Sequence, residues 1–428
     1  MKRRFAISIV ILVLLGAAVI VVAWPRAERI PAHAPYAWAA TPANIARGAY
    51  LARAGDCAAC HTARGGIAYA GGRAFETPFG TLYAPNITPD THTGLGAWSA
   101  DDFWQALHNG IARDGRLLYP AFPYTHYTRM PRADADVLYA FLRSLAPARQ
   151  PNRAHALRFP YNLHIVLAGW RLLYFRPGVY VPQPARSPEW NRGAYLVEGP
   201  GHCGACHSAR NGLGASSAAL SGGLITTLGW YAPALTSSRE AGLGDWDTAH
   251  IVQLLRTGVA PRGAVFGPMA DVVAHSLQYL SQDDVGAMAI YLKSLPATPG
   301  PAPVSGTIVP SEDALAPGRR LYAHHCAACH GVDGRGKTAS GRPAYPPLAG
   351  NRALTMADPV NAIRIVLNGG FAPATAGNPR PFGMPPFSPL LDDAQTAAVV
   401  TYVRNSWGNT GSAVTPAQVN RYRAVPLD

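Results

Sequence analysis

The sequence is poor in charge, poor in cysteine and, past its first two dozen residues, without a long apolar run. Charged residues make up 14% of the 428. The formal net charge is +13, yet Arg residues are scattered through the loops without a Lys/Arg block of the kind that grips nucleic acid, and nucleic-acid binding is excluded on that ground. No Gly-rich strand-to-helix turn of the nucleotide-binding type is present. No segment shows the apolar alternation of a half-buried strand. What is abundant is Gly (43) and Pro (39) within a 48% hydrophobic chain, a mix that predicts short helices joined by long ordered loops.

One apolar run does exist, at the start. Lys2, Arg3 and Arg4 precede unbroken apolar sequence from Phe5 to Trp24. At about 1.5 Å per residue this run spans roughly 30 Å, the thickness of a bilayer core. Cleaved signals have shorter apolar regions, although Val21 and Ala23 would satisfy a signal peptidase. An uncleaved single anchor is therefore expected, with the basic cluster inside and everything after Trp24 on the outer side of a bacterial inner membrane.

There are only six cysteines, and their spacing argues against a disulfide framework. All fall in C-x-x-C-H: "CAACH" at 57–61, "CGACH" at 203–207 and "CAACH" at 326–330. Cys at i and i+3 share one face of a helical turn, with His at i+4 beside them. Two thiols so placed can bond the edge of a flat ring while the imidazole rises under its metal. A zinc site would combine two such pairs, or one pair with distant histidines. Three self-contained patterns that consume every cysteine point instead to three covalently bound haem c groups, held by Cys57, Cys60, His61, Cys203, Cys206, His207, Cys326, Cys329 and His330. Haem propionates would offset part of the formal charge.

The surrounding sequence repeats as well. "RGAYLARAGDCAACHTARGG" (47–66), "RGAYLVEGPGHCGACHSARN" (192–211) and "GRRLYAHHCAACHGVDGRGK" (318–337) open three copies. Each continues with a Tyr-Pro turn: "YAPNIT" at 83–88, "YAPALT" at 231–236 and "YPPLAG" at 345–350. An amphipathic helix ending in Gly follows, at 98–110, 246–258 and 358–370, then a closing helix at 133–145, 282–295 and 392–406. Three small all-α domains are expected over 40–146, 190–296 and 312–408. An anchor or signal occupies 1–30, a linker with an apolar helix 147–189, a Pro-rich linker 297–311 and a tail 409–428. The apolar segment "NLHIVLAGWRLLYF" (162–175) reads either as a connector packed on a neighbouring domain or as a docking surface for a partner subunit or the membrane.

The triple motif, the N-terminal anchor and "EWNRGAYLVEGPGHCGACHSARNGLGA" around the second site resemble the three-haem cytochrome c subunit of bacterial membrane-bound dehydrogenases. The resemblance spans nearly all the chain after residue 40. It implies three tandem class I cytochrome c domains behind an N-terminal transmembrane helix. It also implies electron transfer from a separate catalytic subunit, of quinoprotein, flavoprotein or molybdenum type, to ubiquinone or another respiratory carrier. The haem domains would lie on the periplasmic side, and the chain would supply no catalytic residue.

The resemblance further implies a methionine opposite each histidine on the iron. Among six methionines, Met384 in "FGMPPF" and Met269 in "FGPMADVV" lie before their closing helices and are the expected ligands beside His330 and His207. Met288 and Met356 read as core residues. In the first copy the corresponding position holds Phe122, in "PAFPY" where relatives read like "PAMPY". Met130 is then the expected ligand beside His61, with His126 or an open iron as alternatives. Pro85, Pro233 and Pro347 recur at matching places, and in related class I cytochromes such a proline carbonyl accepts the imidazole N–H; an ordinary turn proline is the other reading. His324 and His325 read as surface or packing residues. Two other functions fit the same motifs: a peroxidase-like enzyme using an open first haem, and an electron donor to a terminal oxidase.

Overall fold

The computed structural model describes residues 38–236, 242–297, 310–339 and 342–425. Two compact units divide the chain, one ending at Val181 and the other beginning at Pro182.

The first unit is built on helices α1 (Pro42–Ala54), α2 (Cys57–His61), α3 (Ala100–Asn109), α4 (Tyr124–Tyr127), α5 (Arg132–Ser144) and α6 (His164–Tyr174). Their ends follow from local chemistry. Thr41 accepts the Asn44 N–H and Pro42 stands in the first turn, so α1 starts there. Ser99 and Asp102 cap α3 reciprocally, and Gly110 ends it at φ 60°. Phe103, Trp104 and Leu107 of α3 are buried, as are Leu138 and Leu142 of α5.

Helices α1 and α5 cross at Gly48. A Cβ there would stand 2.0 Å from the Val137 carbonyl oxygen, so only glycine permits this approach. Buried charge stays paired beside the crossing: Arg132 donates to Asp136 at 2.7 Å and to Asp101 at 2.6 Å, with Asp136 only 1% exposed. A small antiparallel sheet, in order β1 (Ala74–Thr77), β2 (Gly80–Tyr83), β3 (Ala156–Leu157), carries the loop after α2.

The second unit repeats this arrangement twice. Helices α7 (Pro188–Glu198), α8 (Gly204–His207), α9 (Thr248–Thr257), α10 (Pro268–His275) and α11 (Gln282–Ser294) form the first set. Helices α12 (Glu312–His325), α13 (Ala327–His330), α14 (Val360–Asn368), α15 (Asp393–Arg404) and α16 (Pro416–Arg423) form the second. The same glycine device recurs. A Cβ on Gly193 of α7 would lie 2.0 Å from the Ala287 carbonyl of α11, and one on Gly318 of α12 2.2 Å from the Ala398 carbonyl of α15. Tyr322, Ile363, Leu367, Val400 and Val403 belong to the core of the second set.

Polar contacts tie the two sets together. Asn361 donates to the Tyr231 carbonyl at 2.7 Å and accepts its N–H at 2.9 Å. Asp245 accepts from Arg352 at 2.7 Å and from Arg262 at 3.0 Å. The Arg364 guanidinium lies 4.9 Å from the Trp230 ring centroid.

Two expectations about fold are corrected. The chain is not all-α, since the described residues hold one three-stranded and five two-stranded antiparallel sheets. These strands run two to four residues, too short to show alternation in sequence. The expected transmembrane helix is not supported: among the described residues no helix is long and apolar enough to cross a membrane. Residues 1–30, on which that expectation fell, lie outside the described residues, as does most of 297–311.

Candidate functional site

Each C-x-x-C-H pattern forms a short helical turn, namely α2, α8 with Cys203 at its cap, and α13 with Cys326 at its cap. No disulfide joins any of the six cysteines. Among the described residues no group of three or more His, Cys, Asp or Glu side chains is placed to hold a metal ion, so the zinc alternative has no ligand set.

The three histidines are held alike. His61 Nδ1 lies 2.8 Å from the Pro85 carbonyl, His207 Nδ1 2.7 Å from that of Pro233, and His330 Nδ1 3.0 Å from that of Pro346. A carbonyl only accepts, so Nδ1 carries the proton in each ring. That tautomer leaves Nε2 with its lone pair, ready for a metal. Burial lowers all three imidazoles below their ordinary pKa, and the proline hydrogen bond, pulling the other way, does not overcome it. The rings are therefore neutral at neutral pH. In the third turn the acceptor is Pro346 and not its neighbour Pro347.

The backbone of each histidine is pinned as well. Its carbonyl accepts an N–H from Gly71, Gly222 or Gly336, at 2.7, 2.8 and 2.9 Å. These glycines have φ of 77°, 82° and 73°, and a Cβ on any of them would run into the proline segment that holds the imidazole. Glycine, proline and histidine thus form one lock, and it occurs three times.

Burial pushes the first thiol of each turn up, to about 12 at Cys57 and Cys203 and about 11 at Cys326. Cys206 is raised as well, its sulfur desolvated by neighbouring atoms although the residue as a whole is exposed, with Arg210 pulling it down. Paired thiols beside a neutral imidazole with a free Nε2 are the donor set that a covalently attached haem requires, and the residues present fit that group.

The candidate residues opposite the histidines occupy different settings. Met130, 1% exposed, sits in the turn after α4, where its N–H donates to the Tyr127 carbonyl at 2.9 Å. Tyr127 in turn donates its hydroxyl to the Gly55 carbonyl at 3.1 Å, two residues before Cys57, which ties this loop to the first turn. The Phe122 ring lies tilted at 55° against that of the same tyrosine, with ring centroids 5.5 Å apart. His126 is half-buried on α4. Met269 is half-buried in the first turn of α10. Met384 packs on the core cluster that also touches Cys326. Met288 and Met356 are 2% and 0% exposed, both core residues. His325 packs on Phe387, with ring centroids 6.0 Å apart.

One group of residues was missed in sequence. Arg73, Arg210 and Lys337 each donate to the carbonyl just before the second cysteine, on Ala59, Ala205 and Ala328. They stand at unequal distances along the chain, so no fixed spacing reveals them.

The cytochrome c family model matches residues 45–146 and 315–407. The cytochrome c subunit of a quinone-dependent alcohol dehydrogenase from Gluconacetobacter polyoxogenes is 40% identical over 403 residues, covering 90% of this chain and 85% of that one. The cytochrome c subunit of gluconate 2-dehydrogenase from Pantoea cypripedii is 42% identical over 402 residues, covering 89% of each. A nicotinate dehydrogenase subunit from Pseudomonas putida is 43% identical over 388 residues, covering 89% of this chain and 32% of that longer one. With near full-length identity of this order, and the cysteine-histidine turns described above, the chain belongs to the family of cytochrome c subunits of bacterial dehydrogenases.

Proposed function

We propose that the chain is a three-haem electron-transfer subunit, with one covalent haem c on each C-x-x-C-H turn. The observation that carries this reading is the threefold lock of histidine, proline carbonyl and glycine, built alike at His61, His207 and His330. When bound, each haem supplies a one-electron iron centre. The cysteines would anchor the rings, and each histidine would offer Nε2 to the iron. Met269 and Met384 would complete the second and third sites. Met130 would complete the first, with His126 as the alternative.

Electrons would come from a separate catalytic dehydrogenase subunit and leave to ubiquinone or another respiratory carrier. The relatives' names support a catalytic partner, since those proteins are subunits of alcohol, gluconate and nicotinate dehydrogenases. The partner here would be of quinoprotein, flavoprotein or molybdenum type.

The chain would work at the periplasmic face of the inner membrane. Support comes from α6, of whose side chains only Leu167 is buried, while Leu173 is 66% exposed and Phe159 just before the helix 78%. From Val137 to Val181 there are six arginines and no acidic residue, a composition suited to an anionic lipid surface.

The test is electron flow through the purified complex. Adding the partner's substrate should reduce all the haem bands, and adding ubiquinone should reoxidise them. Substrate turnover that leaves the haem bands oxidised would overturn the proposal.

A further inference from the structure

The three attachment turns share a feature that the locking of histidine does not require. A cation from the following loop reaches the same backbone atom in each: Arg73 Nη1 to the Ala59 carbonyl, Arg210 Nη2 to that of Ala205 and Lys337 Nζ to that of Ala328, at 2.5 Å in every case. In each turn that carbonyl belongs to the residue just before the second cysteine. The cations arrive from 12, 3 and 7 residues past the histidine, on loops of different length and course. One end point reached by three routes marks the end point as what matters.

Each cation is used on a neutral carbonyl. Among the described residues no carboxylate pairs with Arg73, Arg210 or Lys337, so their charges are not neutralised by the protein. All three side chains are exposed, as are Cys60 and Cys206, with Cys329 half-buried. The positive charge therefore sits at the solvent-facing side of the turn, beside the second thioether position. A surface for docking one partner would need such a charge at one turn only. Its presence at all three points to a property of each centre in itself.

We infer that Arg73, Arg210 and Lys337 are positioning residues that fix a positive charge at the second attachment cysteine and so favour the electron-rich, reduced form of the centre on each turn. The inference rests on the proposal that every turn carries a haem. The physical reason is Coulombic: an added electron is stabilised by a fixed cation nearby, and the local dielectric around a haem is among the levers on its potential. The carbonyl acts as a clamp, holding a long flexible side chain at one place instead of letting it sweep through solvent.

The experiment uses the full haem-loaded chain. Arg73→Gln, Arg210→Gln and Lys337→Gln each keep a donor for the carbonyl and remove the charge; Arg73→Lys, Arg210→Lys and Lys337→Arg keep the charge. Haem per chain is counted first by the alkaline pyridine spectrum, then the redox transitions are resolved by spectroelectrochemistry at low and high salt. The expected result is that each Gln variant lowers one transition, a different one each time. At the wild-type midpoint the reduced-to-oxidised ratio should fall several-fold. The shift should shrink at high salt, because exposed charges are screened, and the charge-keeping variants should restore it. Full haem content with unmoved transitions in the Gln variants would overturn the inference alone. A shift that ignores salt, or that the charge-keeping variants share, would overturn it too, because it would mark a merely structural clamp. A turn that carries no haem in the wild-type chain would overturn the functional proposal with it.

Discussion

Replacing Gly193 with alanine tests how the helical scaffold is held. At the crossing of α7 and α11 the added Cβ would stand 2.0 Å from the Ala287 carbonyl oxygen, where ordinary contact begins near 3.4 Å. The obstacle is the backbone of α11, so no side chain can swing aside and the helices must separate by about 1.4 Å. Overpacking of this kind costs about 3 kcal/mol, toward the upper end of the usual range. Alanine recovers about 1 kcal/mol through its better helix propensity, leaving a net loss of about 2 kcal/mol. For the second unit, which runs from Pro182 to Asp428, that lowers Tm by roughly 4–8 °C.

Gly286 supplies the matched control. It lies on α11 itself, and a Cβ there meets nothing within 4 Å, so Gly286→Ala should stabilise by about 0.5–1 kcal/mol. The assay is thermal unfolding followed by far-UV circular dichroism, with hydrogen exchange read on α7 and α11. Gly193→Ala should lose protection in those two helices while Gly286→Ala keeps it. If the two variants melt alike, the close crossing does not govern stability and the reasoning fails.

Asp136→Asn should destabilise the first unit by about 3 kcal/mol in urea unfolding, because buried Arg132 loses the charge of its buried carboxylate partner while Asp101, which it also contacts, is half-exposed; a loss below about 1 kcal/mol would contradict this. Met130→Leu conserves volume and should keep the fold while one haem loses its low-spin spectrum; an unchanged spectrum would remove Met130 as a ligand. Burial raises the Asp245 carboxyl, but its hydrogen bond to Arg262 and the charges of Arg352 and Arg262 outweigh that and leave it below the usual range. A depressed carboxyl contributes stability above its unfolded pKa of about 4 and loses it as pH falls through the lower folded value. The stability gap between wild type and Asp245→Asn, at most about 1 kcal/mol for so exposed a pair, should thus be present at neutral pH and vanish in acid; a gap that is independent of pH would contradict the ionic link.

What sequence showed and what it hid follow from the range of the forces involved. The attachment turns are local, with five residues sufficient to place two thiols and an imidazole on one helical face. Helix ends were readable for the same reason: Ser99 with Asp102 and Gly110 bound α3 by contacts within one turn. The third proline was not readable. Its imidazole bond spans 16 residues against 24 and 26 in the other copies, and the shorter loop brings Pro346 to the ring in place of Pro347. Arg73, Arg210 and Lys337 were hidden because their shared target fixes a point in space and not a spacing. The glycines Gly48, Gly193 and Gly318 stood in view within the repeats, yet their purpose needs the partner helix, about 80–95 residues further on, to be seen. The short paired strands carry no periodicity from which to read them.

The central claim is that each of the three turns binds one haem covalently. Intact-mass analysis of the full chain, made in a host that matures c-type cytochromes, tests it most directly together with the alkaline pyridine spectrum. The account predicts three haems per chain, and two when Cys57 and Cys60 are both replaced by alanine. Fewer than three haems in the wild-type chain, or a count that this replacement leaves unchanged, would contradict it.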